Sequence, residues 1–410
     1  MPTLEHVLDE EVSQQEVNQP IEEKFQTAPV VTIGASHAIH DSYFAFLPAI
    51  LPVLVENLSL TKTLAGLLSV FTQLPSLIQP FVGYAADRVS LRYMVILAPA
   101  VSGALLSLLG SSNNYAVLAF LLLAAGISSA AFHSVGPVIT GYVSGKNLGR
   151  GMSIWMMGGE FGRFLGPVIV VTAIGALTIK GLPWLMLGGI ATSATLYFLL
   201  KDVQDRPKIS RQMTDQRVDL RIFFPVMLPI WAISASRALL ATVFNTYLPL
   251  YLTERGSPLF VAGASLSLAA AAGVVGALIS GSLSDRLNRR TVLAVTMFLS
   301  FLTTLMFLFS SGWAYLPTLL LMGFSVLSTT PVVMAIVQEY HPAHRALANG
   351  IYMALSFITN AVAILAMGML GDRLGLHTSF LIAAFAILIG LPFVLMLPKD
   401  RMSKGMTVPK

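Results

Sequence analysis

Gly83-Tyr-Ala-Ala-Asp87-Arg88-Val-Ser-Leu-Arg92 returns as Gly281-Ser-Leu-Ser-Asp285-Arg286-Leu-Asn-Arg-Arg290, 198 positions further on, and each copy closes a long apolar run. A glycine lets one helix approach another closely. An Asp at a helix end accepts hydrogen bonds from a neighbouring helix N-terminus and pairs with a nearby Arg. A second match has almost the same spacing, because Leu47-Pro48 recurs as Leu248-Pro249 at an offset of 201. The pattern implies two related halves, each carrying the same device at one end.

The material around the repeat fixes the class. Of 410 residues, 55% are hydrophobic and only 11% charged, with a mean hydropathy of +0.75. That is far too apolar for a soluble chain of this size. A bilayer core of about 30 Å takes roughly 20 apolar residues per helix, and backbone groups in lipid must be satisfied within the segment. Twelve runs of that kind are expected, at 30–54, 63–85, 92–110, 115–142, 151–175, 182–200, 223–252, 259–283, 291–310, 314–337, 347–370 and 378–397. The fold class expected is an all-α integral membrane protein of twelve transmembrane helices in two pseudo-symmetric six-helix bundles. Residues 1–29 read as a flexible cytoplasmic tail, 30–200 as the first bundle, 201–222 as a cytoplasmic linker, 223–397 as the second bundle and 398–410 as a cytoplasmic tail.

Charge orients the chain. With the N-terminus in the cytoplasm, 19 Lys and Arg fall on the cytoplasmic side and four (Lys62, Lys180, Arg255 and Arg373) on the other, as the positive-inside rule requires. The net charge of +5 is thus topogenic, and nucleic acid is not an expected partner. The first 29 residues hold seven acidic side chains and one Lys, so no basic region precedes the first span and no cleavable signal peptide is expected. Cysteine is absent, which removes disulfides, thiolate catalysis and Cys-based metal sites. No phosphate-binding Gly-x-x-x-x-Gly-Lys-[Ser/Thr] loop, Gly-x-Ser-x-Gly, His-Glu-x-x-His or paired Asp-rich metal motif is present, so neither ATP-driven transport, an enzyme activity, a cofactor nor a metal is expected.

Ionisable groups inside spans cost about 2.5–3.5 kcal/mol each at a helix centre, so their presence signals a cavity, a partner or a task. His37, His40 and Asp41 fall at i, i+3 and i+4, on one face of the first span. Asp41 stands roughly 16 Å beyond Val30, close to the bilayer midplane. By the duplication offset the equivalent stretch of the seventh span carries Arg237. The His-His-Asp face and Arg237 are therefore expected to look at each other across a cavity between the halves, with Asp41 and Arg237 pairing when it is empty. Arg237, a planar fork of donors, is the first candidate for an anionic substrate, with His37, His40, His133, Asn245 and Tyr43 beside it. Asp41, Glu160 and His133 are the proton-coupling candidates. Arg163, three residues after Glu160, offers that acid an intrahelical ion pair instead. Gly162, Gly166 and Pro167 make a flat, bendable helix face suited to a hinge.

Twelve spans in two halves, with Gly-x-x-x-Asp-Arg between the second and third spans of each, resemble the major facilitator superfamily. The resemblance implies a gate on the cytoplasmic side built by Gly83, Asp87, Arg88 and Arg92 and by Gly281, Asp285, Arg286 and Arg290. The first copy departs from the family pattern, with Ser90 and Leu91 where a Gly and a basic residue are usual. Ser36-His37-x-x-His40-Asp41, Ala131-Phe132-His133 and Gly158-Gly159-x-x-Gly162-x-x-x-Gly166-Pro167 look like the fosmidomycin-resistance branch, as do Ser236-Arg237, Asn245 to Leu252 and Gln338-Glu339-x-x-Pro342. Ser134-Val135 replaces a Pro-Glu of that branch and Glu160 replaces an Asn. The likeness implies a drug efflux protein, and so an antibiotic-resistance role: proton antiport of a small compound, anions among the candidates, by alternating access in the cell inner membrane. A proton-coupled importer or facilitator of a metabolite is the alternative. The expected partners are a small-molecule substrate, protons and lipid, with the chain a monomer.

Overall fold

In lipid the backbone has only itself to bond to, and the computed structural model answers that constraint with helices throughout its described residues, which are 25–79, 81–82, 91–201, 224–340 and 345–397. The first half contains α1 (Thr27–Phe44), α2 (Phe46–Leu58), α3 (Lys62–Gln73), α4 (Arg92–Ser107), α5 (Tyr115–Val143), α6 (Leu148–Leu177) and α7 (Met186–Leu200). The second contains α8 (Phe224–Thr242), α9 (Leu248–Glu254), α10 (Leu259–Arg286), α11 (Arg289–Leu308), α12 (Tyr315–Tyr340), α13 (Arg345–Ile389) and α14 (Leu391–Met396). Polar side chains start several of them: Thr61 accepts from the Leu64 N–H, Asn114 from those of Ala116 and Val117, and Asn288 from that of Arg290.

Ten helices among the described residues are long and apolar enough to cross a membrane. Two features separate this from the twelve runs expected. The run 63–85 is broken, since α3 ends at Gln73 and a 3-10 segment, Leu74–Ile78, carries Pro75. The last two runs, expected as separate helices, are joined in α13, whose one non-helical residue is Gly375 at φ 78° and ψ 159°. Glycine adopts that backbone without a Cβ clash, so one residue does the work expected of a loop at 371–377.

The Leu-Pro repeat marks an equivalent discontinuity in both halves. Ala45 interrupts the first span before α2 begins at Phe46, and a π-helical segment, Val243–Tyr247, interrupts the seventh before α9 begins at Leu248. Buried side chains gather into two clusters drawn from the first half, around Leu51 and around Phe132, and one drawn from the second, around Tyr247. Side chains such as Phe120, Phe198, Leu278 and Val362 turn outward, where a bilayer would cover them.

Small residues decide how the helices meet. A Cβ on Gly158, Gly162 or Gly166 of α6 would overlap the carbonyl oxygens of Gly34, Ala38 and Ser42 on α1, so the glycine stripe lays these two backbones against each other. Gly276 and Gly323 do the same between α10 and α12. Gly281 of the second repeat copy has ordinary room, its nearest neighbour being Pro331 Cβ at 3.8 Å, so close approach is not its task in this conformation. Gly162→Val should therefore force α1 and α6 apart and cost about 1–3 kcal/mol or more, seen as a lower thermal midpoint in detergent, whereas Gly281→Ala should leave the midpoint unchanged.

The halves touch at the end opposite the repeat, where α3 packs on α13, α6 on α10, and α2 on both α9 and α10. Asp372 of α13 accepts from the backbone N–H groups of Lys62 (2.5 Å) and Thr63 (3.0 Å) and from the Thr63 hydroxyl (2.6 Å), seating its carboxylate on the N-terminus of α3. Lys62 Nζ pairs with Glu254 at 2.9 Å, and the Tyr247 hydroxyl donates to the Lys62 carbonyl at 3.1 Å. Gly66, Gly368 and Gly371 leave the space that Tyr247, Thr63 and Lys62 fill.

Candidate functional site

The face of α1 predicted from the spacing is built, with a different third member. His37 and Asp41, one helical turn apart, meet His133 of α5 instead of His40. His37 Nε2 lies 3.2 Å from His133 Nε2 and 3.3 Å from Asp41 Oδ2, and His133 Nε2 lies 3.4 Å from Asp41 Oδ1. Each ring is held from behind. His37 Nδ1 donates to the Trp155 carbonyl at 2.8 Å, and His133 Nδ1 donates to the Ser129 carbonyl at 3.0 Å with the Ser129 hydroxyl 3.1 Å away. A carbonyl oxygen only accepts, so in the neutral rings the hydrogen sits on Nδ1 and both Nε2 lone pairs point inward. Two imidazole lone pairs and a carboxylate then converge with no hydrogen between them. A proton or another cation among these acceptors would relieve that arrangement.

The walls explain why the cluster forms here. The Trp155 ring stacks on His37 with 3.9 Å between centroids, and Phe132 closes the side behind it. Gly136 makes room for the Trp155 ring, and Gly159 sits so close that a Cβ there would lie 2.7 Å from His37 Nε2 and 3.2 Å from Asp41 Oδ2. Access is graded: the side chains of His37, Asp41 and His133 are 5%, 11% and 32% exposed, so the cluster opens through His133.

Several expected members stand elsewhere. His40 is stacked on Phe132 at 4.2 Å, buried, and neither ring nitrogen makes a hydrogen bond. It shares the helix face of Asp41, but the apolar wall of Phe132 and Phe44 takes up its ring. Tyr43 is buried in the first half and donates to the Leu185 carbonyl at 2.6 Å, so it braces α1 and is no cavity wall. Asn245 is exposed in the π-helical turn and donates to the Ala241 carbonyl at 2.9 Å, filling a bond that the widened turn frees. Glu160 and Arg163 form the intrahelical ion pair on the exposed side of α6, beside the cluster and outside it.

The expected Asp41–Arg237 pair is absent. Arg237 Nη2 donates to the Thr330 hydroxyl of α12 at 2.9 Å, with Tyr352 of α13 beside it, and among the described residues no carboxylate reaches it. Asp41 finds histidines on its own helix and on α5, so it has no need to reach across. Of the gating candidates, Arg92 opens α4 with its guanidinium 5.4 Å from the Tyr93 ring centre, Arg286 is exposed at the end of α10, and Arg290 is the second residue of α11. Pro167 lies within α6, after the glycine stripe. Gly83, Asp87 and Arg88 lie outside the described residues, as do Pro342 and the side chains of Asp285, Gln338 and Glu339.

Two pseudo-repeated helix breaks, a polar cluster in one half and a half-buried cation in the other call for comparison with known families. The family model for the Major Facilitator Superfamily matches residues 34–344 and 278–408. The chain belongs to the major facilitator superfamily. It is a multi-pass membrane transporter and not an enzyme. Among curated relatives it is 24% identical over 384 residues to the fosmidomycin resistance protein of Escherichia coli (strain K12), covering 90% of this chain and 92% of that one. It is 23% identical over 400 residues to the uncharacterized MFS-type transporter YfnC of Bacillus subtilis (strain 168), covering 93% and 97%. Among solved structures, a bacterial homolog of the human lysosomal transporter Spinster, inward-facing and occupied, superposes with a TM-score of 0.79 at 13% identity, over 91% of this chain and 97% of that one. The nucleoside transporter NupG follows the same fold with a TM-score of 0.73 at 13% identity, over 90% and 100%.

Within the superfamily fold, the sequence reading missed the residues that hold the site in place. Trp155 and Ser129 act through backbone carbonyls, which no side-chain pattern reveals, while Gly159, one turn of helix away from Trp155, carried a signal in the run Gly158-Gly159. Thr330 and Tyr352, the neighbours of Arg237, had none. Asp372 and Lys62 are 310 positions apart, and only the folded chain brings them together.

Proposed function

We propose that this transporter exports a small compound or drug, anions included, in exchange for protons, by rocking residues 30–200 against 223–397. The observation that carries this reading is the convergence of His37, Asp41 and His133. Three acceptors around one point bind a proton in their midst, and losing it to one side of the membrane and regaining it from the other is what coupling requires. Arg237 complements them. A half-buried guanidinium held by the Thr330 hydroxyl, with no carboxylate reaching it among the described residues, is suited to an anionic group of the cargo. The name of the Escherichia coli relative supports a drug as cargo.

The chain sits in the inner membrane as a monomer with both termini in the cytoplasm, in keeping with the 19-to-4 division of Lys and Arg. In that orientation the Asp372–α3 clasp closes the outer face. Growth inhibition by a panel of diverse toxicants, fosmidomycin first, tests the reading in cells with and without the intact gene at two external pH values. Export predicts lower tolerance without the gene; reduced uptake of a labelled metabolite with unchanged tolerance would assign import instead. Once a cargo is known, Arg237→Ala should raise its half-saturation concentration by about tenfold or more if it is anionic, the loss of a charged hydrogen bond worth about 1.5–3 kcal/mol. Unchanged kinetics would move the anion site elsewhere.

A further inference from the structure

The side chains that converge on one point have a spacing of their own. His37 Nε2 and His133 Nε2 stand 3.2 Å apart, one oxygen of Asp41 (Oδ2) lies 3.3 Å from the first and the other (Oδ1) 3.4 Å from the second, and one ligand atom from each of the three residues lies within 4.8 Å of the others. Ligand atoms about 2.0–2.1 Å from a four-coordinate ion are about 3.3 Å apart. We propose that His37, Asp41 and His133 form a binding site for a divalent first-row transition ion, Zn2+ or a close neighbour, seated on three protein ligands with a fourth position open through His133.

Four independent features of the structure agree with a metal and not merely with packing. The donor set of two imidazoles and one carboxylate suits Zn2+ and its neighbours. Each imidazole is fixed by a hydrogen bond from Nδ1 to a backbone carbonyl, the Trp155 and Ser129 oxygens, which is the support that orients a metal-bound histidine and keeps its Nε2 lone pair free. The rings do not need to turn to reach the ion. The site is also open on one side, His133 being 32% exposed while His37 is 5%, so an ion has an access route and a place for a water or an anionic oxygen of the cargo. Finally, Gly159 leaves room for the His37 ring and the Asp41 carboxylate where any side chain would push both aside. The sequence alone pointed away from metal, because the ligands come from two helices 92 positions apart and carry no recognised spacing.

The site uses the side chains of the proton-coupling reading but does not depend on it, and the two are tested apart. The purified full-length protein in detergent, stripped with EDTA, is titrated with Co2+ and followed by visible d–d absorption, then back-titrated with Zn2+. The wild type should develop the absorption of a low-coordinate N/O-ligated Co2+ at one ion per chain, and Zn2+ should abolish it. His133→Gln and His37→Gln should each weaken the affinity by about tenfold or more, while His377→Gln, in the second half and bonded to Tyr251, should leave it within error. Gly159→Ala keeps all three ligands and should weaken binding as well, which guards against a histidine variant that fails to fold. Equal Co2+ spectra and affinities in the wild type and in the His37→Gln and His133→Gln variants would show an adventitious surface ion and overturn the site, as would no binding at all by a monodisperse wild type. Metal binding without proton-driven flux would count against the antiport reading alone, and proton-driven flux without metal binding against this site alone.

Discussion

Asp41→Asn should abolish concentrative export while leaving downhill exchange of cargo intact. The carboxylate is the anion of the cluster, 3.3 Å from His37 Nε2 and 3.4 Å from His133 Nε2. With an amide in its place, the charge that favours a shared proton is gone, and the amide can instead donate a hydrogen bond to one lone pair and leave the other empty. A ligand drives rocking only through unequal binding to the two states, so a cluster that no longer binds the proton gives the proton gradient nothing to act on. Accumulation against a gradient in proteoliposomes should fall to about unity, because the driving force and the cargo are uncoupled. Counterflow of labelled against unlabelled cargo needs only rocking and should persist. Full uphill transport by the Asp41→Asn variant would remove the carboxylate from the coupling mechanism.

Asp372→Ala should shift the balance between the two faces. Three hydrogen bonds and the N-terminus of α3 hold this carboxylate, and every one of them joins one half of the molecule to the other. The residue is exposed, so water screens the attraction, and about 1–2 kcal/mol is a reasonable share for the clasp. That free energy corresponds to an increase of about 5- to 30-fold in the ratio of outward-open to outward-closed molecules. The chain has no cysteine of its own, so spin labels on Asn57→Cys and Ser257→Cys report the separation of the outer ends directly. The short-distance population should shrink in the Asp372→Ala background and in Lys62→Ala, which keeps the backbone N–H to Asp372 but loses the Glu254 pair between the halves. Identical distance distributions in all three would mean that packing of α3 on α13 closes this face without the clasp.

The long apolar runs, the duplication and the glycine stripe were legible because each depends on spacing along one helix. Gly158, Gly162 and Gly166 fall on one face by periodicity, and that face meets α1. His37 and Asp41, four apart, were bound to be neighbours for the same reason. The failures lie where periodicity cannot decide. His40 is three residues from His37 and shares its stripe, yet a modest rotation about the helix axis sends its ring to Phe132. The pairing of Asp41 with Arg237 was inferred from pseudo-symmetry, but symmetry places helices and says nothing about which partner is nearer; His133 was nearer. The break at 371–377 was legible from its polar residues, though not that Gly375 alone would make it, and the clasp was hidden because its partners come from opposite ends of the chain.

The measurement that bears most directly on this account is proton movement during transport by reconstituted protein, followed with a pH-sensitive dye trapped in the liposomes, using the compound that the growth panel selects. An outward cargo gradient should drive protons the opposite way across the wild-type membrane and should drive none in the Asp41→Asn protein, although that protein still exchanges cargo. Cargo flux in the wild type with no accompanying proton movement, or equal proton movement in both proteins, would contradict it.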